Sequence, residues 1–333
     1  MMIARWSFAV PKTLLFFTVW LIINCSSGDA QQGRMSRIGV LEPGTATSVS
    51  DRLSAFKRGL RELGYVEGQN VTIEYRYSEG NQKRLADLAA DLVNLRLDVI
   101  ATSQTPSVLA IKKVSSTIPI VFFFLSFPVE NGIAASFARP GGNATGLTVL
   151  SEELNGKRLE LLKETFPSIS RVGVLSNPSN PTQPLEWKGL QAAAATLGLS
   201  LTSLTVRSSA DFDAAFELAL KERIQAVMNL PEIIFTMNRK RITAFAVTNK
   251  LAAICSDPQT VEAGCLLSYS PNQLDIYRRG AIYVDKILKG AKPGDLPIEQ
   301  PSKFDLVINL KTANTTGLNI PQRVLLKADR VIK

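Results

Sequence analysis

Apolar residues recur in two alternating rhythms along most of the chain, short strand-type runs and longer stretches with helical spacing. The order is plainest at 98–124. Residues 98–102 (DVIAT) form a strand-type run, Ser103-Gln104-Thr105-Pro106 a polar loop, 107–114 a stretch of helical composition and 118–124 a second apolar strand. Thr before Pro at the first helical position marks a helix start. Such a loop lies at the carboxyl end of a parallel strand, the edge where open α/β sheets bind ligands. The helix start there offers unpaired N–H groups and part of a positive charge to an anionic group. Ser and Thr that merely cap the helix are the bland alternative.

The same rhythm runs through the first half. Residues 37–41 (RIGVL) and 71–77 (VTIEYRY) read as strands. Between them Leu53, Phe56, Leu60 and Leu63 have helical spacing, with Ser50 and Asp51 as caps and Gly64 as the stop. Leu85, Leu88, Leu92 and Leu95 predict another helix, a short helix is expected at 133–137, and 145–149 reads as a fifth strand. The pattern then restarts. A helix at 159–166 precedes RVGVL at 171–175, which echoes the first strand; a Pro/Asn-rich loop at 176–184 follows. Helices at 187–197, 210–221 and 238–249 alternate with strands at 201–206, 226–230 and 251–255. Strand–helix alternation with short loops implies parallel, doubly wound sheets. The tail departs from this plan. An amphipathic helix built on Leu274, Tyr277, Ala281, Val284 and Leu288 leads to a strand at 304–310 and a last helix at 321–331. We expect two α/β lobes that share this tail, residues 37–149 with 267–298 and residues 150–266 with 299–333, and a hinge that the chain crosses several times.

Composition narrows the chemistry. The 333 residues contain no His, which removes imidazole bases, catalytic triads that use His and His-ligated zinc. No Walker A or dinucleotide-binding glycine pattern occurs, and no cofactor or metal is expected. The net charge of +9 is spread along amphipathic segments. No basic stripe interleaved with aromatics points to nucleic acid. Arg5, Lys12 and the apolar run 14–23 read as a targeting segment, too short to span a membrane. Cleavage after Ala30 would give a periplasmic protein; lipidation at Cys25 is the competing reading. Cys255 and Cys265 are left as either a disulfide or two buried thiols.

Four strings carry a family resemblance: GLRELGYVEGQNVTIEYRY at 59–77, ARPGGNATGLT at 138–148, GKRLELLKE at 156–164 and YVDKILKGAKPGDLPIEQPSKFDLVINLKTA at 283–313. They resemble an ABC-transporter substrate-binding family whose best-described members bind tryptophan or tyrosine. The resemblance runs from about Arg37 to the C-terminus. It implies a type I periplasmic-binding-protein fold with a three-crossing hinge, and a monomer that delivers a small molecule from its interlobe cleft to an ABC permease.

The resemblance also implies site residues, loop by loop. Ser103 and Thr105 match the family's Ser-Gly-Thr-Pro after the third strand. After the fourth strand the family's Gly-Asp-Pro-Val is replaced by Ser126-Phe127-Pro128-Val129, so the carboxylate that would meet a ligand amine there is missing. Asn177 and Asn180 match an Asn-Pro-x-Asn-Pro loop. Glu232 and Asp257 stand in loops that depart from the family pattern and offer acceptors for an amine or a hydroxyl. The functional alternatives are a periplasmic ligand-sensing receptor and a two-cysteine racemase-like enzyme, which would need a thiol on each lip of the cleft.

Overall fold

The computed structural model describes Met2 and residues 34–333. The expected targeting segment 1–30, with Cys25, lies outside the described residues. Ser36–Lys333 form one compact unit. It is built on two sheets.

The first sheet has five parallel strands in the order β2-β1-β3-β4-β5. They are β1 (Ser36–Glu42), β2 (Val71–Tyr77), β3 (Val99–Ser103), β4 (Ile120–Leu125) and β5 (Ala144–Thr148). Helices α1 (Ser50–Glu62), α2 (Gln82–Val93) and α3 (Thr105–Val114) connect them. Strands β3 and β4 are almost wholly buried, as a sheet covered on both faces requires. The expected cap at Ser50 or Asp51 does not form. Val49 is the N-cap and its aliphatic side chain has no acceptor for a cap bond; Ser48 and Thr45 close the preceding turn on each other. The short helix expected at 133–137 is a set of turns instead. Ile133 N–H bonds to the Pro128 carbonyl and Ala135 N–H to that of Pro140, so the backbone pairs across a loop.

After β5 the chain crosses to the second sheet through α4 (Ser151–Thr165). This sheet has seven strands in the order β12-β11-β10-β9-β8-β6-β7. It contains β6 (Arg171–Ser176), β7 (Ser200–Thr205), β8 (Ala226–Asn229), β9 (Ala252–Cys255), β10 (Leu267–Pro271), β11 (Phe304–Asn309) and β12 (Arg330–Ile332). All neighbours are parallel except β10 and β11. Helices α5 (Gln183–Leu197), α6 (Phe212–Lys221), α7 (Ile233–Met237), α8 (Arg239–Thr248) and α9 (Pro258–Glu262) link the strands. The helix expected at 238–249 is thus preceded by a separate turn of helix. Leu267–Pro271 pairs within the second sheet, so the return to the first lobe comes after Pro271 rather than at 267.

The tail does serve both lobes. Helix α10 (Gln273–Leu288) lies on the first sheet, where Tyr277 packs on Phe123 with ring centroids 4.8 Å apart. Two glycines bring α10 close. A Cβ on Gly280 would lie 2.1 Å from the Phe123 ring, and one on Gly59 of α1 would lie 2.3 Å from the Arg278 carbonyl oxygen. The chain then bridges β5 through Leu147 and Glu299 and crosses back to β11. Two short helices, α11 (Leu310–Thr316) and α12 (Gln322–Leu325), precede β12. The last helix expected at 321–331 therefore stops early. Asp329 accepts from Leu306 N–H, which draws residues 330–332 into the sheet as an edge strand. The hinge thus has three crossings, as expected.

Candidate functional site

The parallel strands of both lobes end at one gap of about 540 Å³. From the first lobe it is lined by Pro43 after β1, Glu79 after β2, and Gln104 and Pro106 after β3. From the second come Asn177 after β6, Arg207 and Ser208 after β7, and Glu232 after β8. Ile233, Ile234 and Met237 add an aliphatic wall. Away from the hinge segments, Gln82 Nε2 donates to the Ser179 carbonyl at 3.4 Å and Gln259 Nε2 to Asp51 Oδ2 at 3.3 Å, each from one lobe to the other.

Two residues that line the gap from the first lobe, Glu79 and Gln104, have positive φ, as do Phe124 and Phe127 near the end of β4 and, away from the gap, Arg96, Arg223 and Lys250. Glu79, Gln104, Phe124 and Phe127 have φ of 56°, 63°, 54° and 52°, a region that favours glycine. Such conformations persist where the surroundings hold them, often at ligand sites. Gln104 is also the N-cap of α3 and makes no side-chain cap bond.

The sequence-predicted residues fall into two sets. Asn177 and Glu232 line the gap. The others are buried beneath it. Ser103 Oγ donates to Glu42 Oε2 at 2.8 Å, and Tyr277 Oη donates to Glu42 Oε1 at 3.1 Å. Burial pushes the Glu42 carboxyl up, while the nearby Arg52 guanidinium and these two hydroxyls oppose the rise. Thr105 Oγ1 donates to the Ser126 carbonyl at 3.0 Å, and the Ser126 hydroxyl pairs with that of Ser151 at 2.5 Å. These hydroxyls set the shape of the βα loops; in this conformation their hydrogen bonds are made within the protein.

Asn180 Nδ2 donates to Glu232 Oε2 at 2.8 Å, and Ile233 N–H donates to Oε1 at 2.9 Å. Asn177 adds a further bond, and burial pushes the Glu232 carboxyl up against these donors. Asp257 caps α9 by accepting from Thr260 N–H at 3.0 Å and Thr260 Oγ1 at 2.7 Å.

Sequence reasoning missed the group behind Glu232. Glu186 on α5 is buried, and its carboxyl is pushed up to about 8 by burial, with Glu232 adding to the rise. The charge of Arg158 and a bond from Ser151 oppose it. Arg158 has no exposed surface; it donates to the Tyr269 carbonyl at 2.8 Å and to Asn155 Oδ1 at 2.7 Å. Burial lowers its guanidinium to about 10 against the pull of Glu186 and Asp257. The string GKRLELLKE contains Arg158, but helical spacing could not tell that this basic residue faces inward.

Cys255 and Cys265 are joined in a disulfide within the second lobe. That resolves the open choice, and it leaves a two-thiol racemase without a free thiol on either lip. Among the described residues no group of three or more Cys, Asp or Glu side chains is arranged to hold a metal ion. None of the described helices is long and apolar enough to cross a membrane.

Comparison with known proteins agrees with this geometry. The family described as ABC transporter substrate binding protein matches residues 37–332. A tyrosine-binding protein of Clostridioides difficile is 23% identical over 330 residues, covering 95% of this chain and 94% of the relative. A conserved domain protein from Vibrio cholerae superposes with a TM-score of 0.85 at 28% identity, over 90% of this chain and 100% of that one. An ABC domain from Streptococcus pneumoniae, solved in complex with L-Trp, gives 0.82 at 25% identity, over 89% and 99%.

Proposed function

The chain belongs to the ABC transporter substrate binding protein family, and we propose that it captures a small molecule between its lobes and hands it to a membrane permease without catalysing a reaction. One observation carries this reading: the gap of about 540 Å³ is lined from both sides by loops at the carboxyl ends of parallel strands. Its volume suits a small metabolite. Hydrogen-bonding groups and an aliphatic wall face it, in a chain that has no His to act as a base.

Closure of the lobes around a ligand would bring the two surfaces beside the gap into one face, and a permease could read that face. The hinge with three crossings supports a motion of this kind. In this reading the protein is exported, acts as a monomer outside the cytoplasm and is either released by cleavage after Ala30 or anchored through Cys25. The ligand class is an amino acid or a small aromatic or carboxylate compound. The L-Trp-bound relative from Streptococcus pneumoniae and the tyrosine-binding relative from Clostridioides difficile support that class. In this reading Asn177 and Glu232 touch the ligand, and Asn180 ties their two loops together. Ser103, Thr105 and Ser126 shape the first-lobe loops, and Asp257 caps α9.

A thermal-shift screen of small metabolites tests the reading. A true ligand at a hundredfold excess over Kd adds about 2.7 kcal/mol to the folded state. That gain should shrink when Asn177 is replaced by Ala. Turnover of a bound compound by the purified protein would contradict the reading.

A further inference from the structure

The acidic side chains beneath the gap outnumber the buried cations. Glu186, Glu232 and Asp257 are buried carboxyl groups, with 2%, 7% and 5% of their surfaces exposed. Among the described residues of the second lobe, one buried cation answers them, Arg158. Arg158 acts on Glu186 and Asp257. No ion pair joins Arg158 to Glu232 among the described residues. Its three donors, Asn180, Asn177 and the Ile233 N–H, are all neutral. No lysine or arginine is paired with it among the described residues. Yet it lines the gap, where a ligand atom can reach it.

A buried carboxylate without a cation is costly, and a charge brought by a ligand relieves that cost. The surrounding groups also fix what kind of charge fits. The neutral donors orient the two oxygens and leave lone pairs free. The aliphatic wall of Ile233, Ile234 and Met237 beside Glu232 takes the apolar part of the ligand. Lys83 and Arg207 line the same gap and are exposed; the Arg207 charge also acts on Asp211, and both cations can face an acidic end.

We propose that Glu232 is the specificity-determining residue of the cleft and that the cleft takes a ligand bearing a protonated amine, received by the Glu232 carboxylate from the second lobe. This rests on the binding-protein reading above and deepens it.

The test is a calorimetric comparison of matched compounds on the wild-type protein and Glu232→Gln. The pairs are L-tyrosine with 3-(4-hydroxyphenyl)propanoate, L-leucine with 4-methylpentanoate, and cadaverine with pentane-1,5-diol. Glucose and myo-inositol serve as neutral polyols. Gln keeps an acceptor for the Ile233 N–H, and the melting temperature of Glu232→Gln checks that the fold is retained. The proposal expects the amine member of a bound pair to be preferred by at least about tenfold, because a site built to bond a group rejects analogues lacking it. Glu232→Gln should remove most of that preference and weaken the deaminated member little. A purely structural role for Glu232 would weaken both members alike and leave their ratio unchanged, and that result overturns the proposal. Binding of a polyol or a deaminated acid without amine preference also overturns it, while leaving the proposed function standing. Binding of no compound in the set overturns both.

Discussion

Gln259 Nε2 donates to Asp51 Oδ2 at 3.3 Å, which ties α9 of the second lobe to α1 of the first. Gln82 Nε2 makes a similar tie to the Ser179 carbonyl. Both are exposed, so each contributes no more than about 1 kcal/mol. They hold the lobes together weakly enough for a hinge to open. Replacing both Gln82 and Gln259 with Ala should therefore weaken ligand affinity by a factor of roughly five, mainly through faster dissociation. Stopped-flow release of a bound ligand measures this directly.

Glu186 makes stability depend on pH in an unusual direction. Its carboxyl is raised from 4.5 to about 8 in the folded protein, so the folded state holds a proton that the unfolded chain has lost. This contribution is fully present below the unfolded value and disappears as pH rises through about 8. Stability should fall by at most about 1.4 kcal/mol per pH unit within that window. Glu186→Gln should flatten the fall. Chemical unfolding of both proteins between pH 5 and pH 9 is the check, with the largest gain for the variant at the alkaline end.

The Cys255–Cys265 disulfide closes a short loop, with a sequence separation of 10. Loop closure of that size restricts the unfolded chain by about 2–3 kcal/mol. The double variant Cys255→Ala, Cys265→Ala should lose about that much stability in denaturant unfolding. Its ligand affinity should change little, because neither cysteine lines the gap.

Gly59 allows α10 to seat on α1. Alanine is the better helix former by about 1 kcal/mol, so helix propensity alone predicts a gain. A Cβ there would instead lie 2.3 Å from the Arg278 carbonyl oxygen, and backbone cannot step aside as a flexible side chain can. Gly59→Ala should lower stability by about 1–3 kcal/mol, and denaturant unfolding gives the sign.

Much of the fold was legible because strand and helix rhythms are local. RIGVL and RVGVL each begin a lobe, and the glycines at 64 and 198 end their helices with positive φ. Strand β10 was not legible. Its sequence LSYSP carries serines at 268 and 270 that the structure buries, and it ends in Pro, so it resembles a loop. Helix α11 (LKTANTT) was hidden because it follows directly on the apolar run FDLVINL and takes its last residue. The switch is made by Asn309, whose side chain accepts from Thr312 N–H and starts a helix where the strand ends.

The site was half legible for a similar reason. Polar loops at strand ends can be found by eye, and Asn177 and Glu232 came from them. What those residues bond to could not be found. Asn180 and Glu232 are separated by 52 positions, and Glu186 joins them from the first turn of a helix. No periodicity records a bond between loops that only the sheet order brings together.

Small-angle X-ray scattering of the ligand-free and ligand-saturated protein tests the central claim most directly. With the compound that gives the largest thermal shift, the radius of gyration should fall as the lobes close, and the fall should saturate with the binding curve. Binding that saturates while the scattering profile stays unchanged would contradict a clamp made of two hinged lobes.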